Sequence, residues 1–132
     1  MDGLLFKTVL SKFLFLFLAG GLGAVCRFLL SARLNECAWC GKPWGILICN
    51  LLGCFLFGFL TVIFTRSFSP EVKLIVLTGF LGAFTTFSTF MFDTVELLEQ
   101  SHYAAACLDL LLHNGLGIVM VLAGMILGKF LT

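Results

Sequence analysis

Residues 44–65 read WGILICNLLGCFLFGFLTVIFT, an apolar run that contains no charged side chain. An α-helix rises about 1.5 Å per residue and the hydrocarbon core of a bilayer is about 30 Å thick, so roughly 20 such residues span it. The run from about Trp44 to Thr65 meets that length. Outward from it lie three more apolar stretches, about Phe13 to Leu34 before it and about Val72 to Leu98 and Ala104 to Leu131 after it. The segments between them are short and polar: Asn35 to Pro43 with Gly41 as a further breaker, then Arg66, Ser67, Ser69 and Pro70, then Glu99, Gln100, Ser101 and His102. The pattern predicts an all-α integral membrane protein of four transmembrane helices, with residues 1–132 forming a single domain.

Composition points the same way. Of 132 residues, 61% are hydrophobic and 11% charged, and a mean hydropathy of +1.13 lies outside the range of soluble domains. A net charge of +1 and sixteen Phe spread through the apolar runs leave no basic surface, which argues against nucleic acid as a partner. Lys7 and Lys12 ahead of Phe13 to Ala19 imitate a secretory signal, but the run continues through Gly20, Gly21 and Ala24, as a retained first span does. Cys26, Cys49, Cys54 and Cys107 sit in apolar runs, where a thiol packs as a small hydrophobe. Cys37 and Cys40 form a CxxC in the first loop without the second ligand pair that a structural zinc needs. No nucleophile with a base and no phosphate-binding loop stands out, so an enzyme is not expected.

Four crossings put both termini on one side. Lys7, Lys12, Arg66, Lys73 and Lys129 fall there, against Arg33 and Lys42 opposite, a modest bias that favours cytoplasmic termini for at least some copies. Small residues at Gly20/Ala24, Gly53/Gly58 and Gly124/Gly128 are candidates for close helix approach, although glycine is common in membrane helices generally.

The polar residues inside the spans carry the functional reading, because buried polar and ionisable groups in hydrocarbon are costly. Arg27 either snorkels to an interface or faces a water-filled vestibule where its charge attracts anions. Asn50, flanked by apolar residues, must point inward, either as an interhelical hydrogen bond worth about 1 kcal/mol or as a donor lining a pore. In the third span Gly79 and Gly82 precede the run Thr85-Thr86-Phe87-Ser88-Thr89-Phe90, a combination that weakens helix propensity near the expected midplane and predicts a break in helix three. Such breaks are tolerated inside protein, where freed carbonyls coordinate cations and freed N–H groups face anions. Phe87 and Phe90, at i, i+3, share a face beside a polar stripe of Thr86, Thr89 and Asp93. Ring edges carry partial positive charge and line an anion path without trapping the ion, although core or lipid packing explains most phenylalanines.

Three ordered stretches, residues 20–28 (GGLGAVCRF), residues 44–55 (WGILICNLLGCF) and residues 79–90 (GFLGAFTTFSTF), make the chain resemble the Fluc (CrcB) fluoride channels along most of its length. The resemblance implies a passive fluoride channel of the cell (plasma or inner) membrane that exports fluoride, assembled as a dual-topology antiparallel homodimer with a central sodium ion. It implies main-chain oxygens of Gly82 and Thr85 as sodium ligands, Phe87 and Phe90 as pore rings, Asn50 as a fluoride donor, and Thr86, Ser88 and Thr89 either as hydroxyls near the path or as residues that hold the break. Arg27 matches the helix-one arginine of the family, with its role left open.

Two departures are visible. Asp93 stands where many members have a Glu, and an ungapped count puts His113, beside Asn114, where a helix-four serine is usual. A histidine there is either a pH-sensitive element or a hydrogen-bonded structural residue. Asp109 is a further ionisable residue in the same helix. The basic bias also raises a differently oriented second chain as an alternative partner. Other functions of similar size are a proton-coupled multidrug exporter, which needs a carboxylate deep in helix one where this chain has Arg27, and a structural subunit of a larger complex.

Overall fold

The computed structural model describes residues 3–36 and 44–132. Among them every regular element is helical, and four helices are long and apolar enough to cross a membrane: Phe6–Glu36, Gly45–Thr65, Pro70–Glu99 and Tyr103–Phe130. The chain is a multi-pass membrane protein. The second, third and fourth spans fall within a few residues of their expected limits, whereas the first helix begins at Gly3, well before Phe13. Nothing in the early segment stops a helix: Leu10 continues the apolar pattern, and the Ser11 hydroxyl donates to the Thr8 carbonyl at 2.9 Å, satisfied along the helix. Cys37 and Cys40 lie outside the described residues.

The third span is compound. Ser69 caps its start, accepting from Val72 N at 3.4 Å, with Pro70 in the first turn. A π-helical stretch, Leu74–Leu81, leads into Gly82–Phe84, and the helix resumes at Phe87–Glu99. Between the two helical pieces Thr85 (φ −90°, ψ 156°) and Thr86 (φ −149°, ψ 122°) have extended backbone. The fourth span likewise holds a π-helical turn, Leu112–Leu116, between Tyr103–Leu111 and Gly117–Phe130. Such turns rotate the side chains that follow and are frequent at functional sites.

The turn joining these spans closes as a Schellman motif, with His102 N donating to Leu97 O at 2.8 Å and Ser101 N to Leu98 O at 3.0 Å. Ser101 pays for it with a left-handed backbone, φ 61°. Glycine adopts that conformation without a Cβ penalty, so Ser101→Gly should stabilise the protein by about 0.5–1 kcal/mol, read as a higher midpoint in thermal unfolding of the detergent-solubilised protein.

Backbone approach holds the bundle together. The second and fourth spans meet through reciprocal glycines: a Cβ on Gly58 would collide with the Val121 carbonyl, and one on Gly124 with the Phe55 carbonyl. The first helix meets the third span through Gly23 against the Phe80 carbonyl, while Gly20 makes only an ordinary contact, 3.7 Å to Gly79 O. Lys12 Nζ donates to Glu71 Oε1 at 3.0 Å between the same two spans, an exposed ion pair that water and salt screen. Most large apolar side chains face outward, as a lipid solvent allows, and the buried ones include Leu47, Phe64, Leu81, Phe84 and Phe90.

Candidate functional site

Asn50 reaches across from the second helix to the extended residues of the third span. Its Nδ2 donates to Thr86 O at 3.0 Å and its Oδ1 accepts from Thr86 N at 2.8 Å, so the side-chain amide supplies the acceptor that Thr86 N–H lacks outside the helix and adds a donor to the carbonyl of the N-cap residue. This is the interhelical bond that one reading of Asn50 expects. The amide has two N–H groups, and the bond to Thr86 uses one of them.

Thr86 also begins the next helix. Its hydroxyl oxygen lies 3.4 Å from Thr89 N, 3.1 Å from Thr89 Oγ1 and 3.4 Å from Ser88 Oγ, which gathers three hydroxyls at the start of Phe87–Glu99. The first N–H groups of a helix have no intrahelical acceptor and the helix dipole is positive there, so this end favours an anion. Phe87 and Phe90 follow, edge to face, with ring centroids 5.7 Å apart and planes at 77°. Phe90 is 2% exposed and Phe87 70% exposed.

Behind Phe90 stands His113 of the fourth span, its ring stacked on the phenyl at 3.9 Å between centroids. His113 Nδ1 lies 3.1 Å from the Asp109 carbonyl and 3.6 Å from Asp109 Oδ1, while Nε2 is buried with no hydrogen-bond partner among the described residues. Asp109 is itself buried; Thr94 Oγ1 lies 3.0 Å from its Oδ2 and 2.9 Å from the Phe90 carbonyl, and its single hydrogen serves one of those acceptors at a time.

Asn50, Thr86, Phe87, Phe90 and His113 line one cavity of about 280 Å³ that reaches Thr85, Cys54 and Asn114. Ser88 and Thr89 stand at its margin through their contacts with Thr86. Gly53 lets the second helix pass close to Thr85, since a Cβ there would collide with the threonine methyl. Arg27 does not line this cavity; it is half-buried on the first helix, where its carbonyl accepts a 3.8 Å bond from Cys49 Sγ. Gly82 sits just before the interruption and is exposed. Residue reading from sequence gave no role to Thr94 or to the Asp109–His113 pairing; the i, i+4 spacing of Asp109 and His113 was the available signal.

The family model described as "CrcB-like protein, Camphor Resistance (CrcB)" matches residues 14–125. A protein of Desulforapulum autotrophicum named fluoride-specific ion channel FluC is 39% identical over 91% of this chain and 98% of its own length. Proteins of the same name from Dichelobacter nodosus (42% identical, 89% of this chain and 96% of the relative) and Magnetococcus marinus (42%, 86% and 94%) are similarly related. Matched along nearly all of its membrane-spanning length, the chain belongs to the CrcB family.

Proposed function

We propose that the chain is a passive, fluoride-selective ion channel of the plasma membrane that lets fluoride leave the cell and so relieves its toxicity. The observation that carries this reading is the cavity at the helix-three interruption, where Asn50, Thr86, Phe87 and Phe90 converge in a protein whose relatives are named fluoride-specific ion channels. Fluoride is small and holds its water tightly, so a conducting path must offer many donors, each weak enough to release the ion. The second Nδ2 hydrogen of Asn50, the hydroxyls of Thr86, Ser88 and Thr89, the dipole of Phe87–Glu99 and the edges of Phe87 and Phe90 are such donors. None is a fixed cation that would hold the anion.

The functional unit in this reading is a dual-topology antiparallel homodimer, with Phe87, exposed on the single chain, turned toward the partner or the pore. A structural sodium ion belongs to the same reading, and the residues present fit it. In an unbroken helix Thr86 N would bond the Gly82 carbonyl, but here it goes to Asn50, and the extended ψ of Thr85 turns that residue's carbonyl away from the helix direction. Main-chain oxygens of Gly82 and Thr85 so released suit a hard monovalent cation, which would tie together the two breaks of a dimer. Arg27 remains outside the path, as a vestibule or interfacial charge.

Cells that lack their own fluoride export test the reading. Expression of the chain should restore growth in fluoride medium, and the Phe90→Ile variant, made at equal levels, should not. Growth that stays fluoride-sensitive with the protein present and folded in the membrane would contradict it.

A further inference from the structure

We propose that Thr94 and Asp109 are positioning residues for conduction: their hydrogen bond between the third and fourth spans holds Phe90 in the orientation that the fluoride path requires. The proposal rests on the fluoride reading above and gives a function to two buried polar residues that the reading leaves unused.

The break at Thr85 and Thr86 uncouples the helix Phe87–Glu99 from the rise and rotation of the residues before it. Ties to neighbouring spans must then set how that helix is turned about its own axis. One tie lies at its start, where Asn50 of the second helix accepts from Thr86 N at 2.8 Å. A second lies two turns on, where Thr94 Oγ1 donates to Asp109 Oδ2 of the fourth span at 3.0 Å. Thr86, Phe90 and Thr94 stand at i, i+4 and i+8 and so share one face. Phe90 is the middle rung between two polar anchors, and its ring stacks on His113, which follows Asp109 at the same i, i+4 interval.

Apolar packing selects this orientation poorly. Phe92 and Val95, on other faces of the helix, are exposed, and in lipid one apolar face exchanges for another at little cost. The Thr94–Asp109 bond does select it. Both residues are buried, so water is not at hand to replace either partner. A hydrogen bond tolerates a few tenths of an ångström, whereas a slip of one residue moves a helix by about 1.5 Å and turns it by about 100°. Thr94 Oγ1 also lies 2.9 Å from the Phe90 carbonyl, so without the Asp109 carboxylate its hydrogen still has an acceptor within its own helix. His113 Nδ1 likewise keeps the main-chain carbonyl of residue 109, 3.1 Å away. Asp109→Leu therefore removes the link between the spans and strands neither of these groups.

Fluoride efflux from proteoliposomes under a potassium shunt, counted per folded protein, tests the assignment. Asp109→Leu and Thr94→Val should each conduct about tenfold less fluoride, the loss of one aromatic contact to the ion. The double variant should conduct no less than either alone, because both changes delete the same tie. Thr94→Ser and Asp109→Asn, which keep a hydroxyl and an oxygen acceptor, should stay within about threefold of wild type. With carbon-13 in the phenylalanine rings, the Phe90 NMR signal, displaced by the stacked imidazole, should move in Thr94→Val and keep its place in Thr94→Ser. Undiminished flux in folded Asp109→Leu and Thr94→Val, the same loss in Asp109→Asn, or an unmoved Phe90 signal would overturn the proposal and leave the channel reading standing. Failure of both disruptive variants to fold would make the tie a requirement of the fold and overturn the positioning role. Absence of fluoride flux in the folded wild type would remove the channel reading, and this proposal with it.

Discussion

Asn50→Ala is expected to cost both the fold and the flux. The side chain satisfies Thr86 N and Thr86 O at once, at 2.8 and 3.0 Å, where the third span is out of its helix. Removing it strands the Thr86 N–H away from water, while the Thr86 carbonyl stays the N-cap acceptor of the next helix, so a loss of about 1–3 kcal/mol should appear as a lowered thermal midpoint in detergent. The same change deletes a donor from the cavity, and fluoride flux should fall by about two orders of magnitude or more. Asn50→Asp separates the two roles. A carboxylate keeps the acceptor for Thr86 N but repels the Thr86 carbonyl and any anion, so flux should be lost while part of the stability returns. Flux in Asn50→Asp close to wild type would show that the second N–H of Asn50 has no part in conduction.

Phe90 is the second position of large effect. Its ring fills the space between the edge or face of Phe87, 5.7 Å away, and the imidazole of His113, 3.9 Å away, and only 2% of it is exposed. Phe90→Ala should open a cavity and destabilise by about 3–5 kcal/mol. Phe90→Ile retains most of the volume and should cost about 1–2 kcal/mol, yet it removes the aromatic quadrupole. If the ring edge serves the ion, Phe90→Ile should conduct at least tenfold less fluoride, by about the energy of one aromatic contact or more, while remaining folded by thermal unfolding and gel filtration. Undiminished flux in a folded Phe90→Ile would assign the ring to packing alone.

These two residues also mark where sequence reading stopped. Apolar length fixed the second, third and fourth spans because residues 44–65, for example, contain no charge to interrupt them. The first helix itself begins at Gly3, ahead of the apolar run from Phe13, because lysine side chains such as Lys7 and Lys12 reach out of an apolar helix without ending it. The low helix propensity of residues 85–89 was visible locally, but the partner of Thr86 is 36 positions away, and no local pattern couples Asn50 to it. Asn50 was read as glue or as pore donor; its geometry allows one N–H for each. Spacing identified Gly124 and Gly58 as small residues but not the carbonyls they face, and it favoured Gly20 over Gly23, the position that meets Phe80. The ring stack of His113 on Phe90 depends on how two spans and a π-helical turn are registered, which periodicity does not encode.

The central claim is that the chain conducts fluoride passively, and liposomal efflux in the presence and absence of a potassium shunt tests it most directly. Purified protein is reconstituted into vesicles loaded with potassium fluoride or potassium chloride, and external halide is read with an ion-selective electrode. A passive channel carries charge, so fluoride should remain inside until valinomycin lets potassium follow, then leave rapidly, with chloride retained throughout. Fluoride release that needs no valinomycin would indicate coupled exchange, and no release from folded, reconstituted protein would contradict the fluoride reading outright.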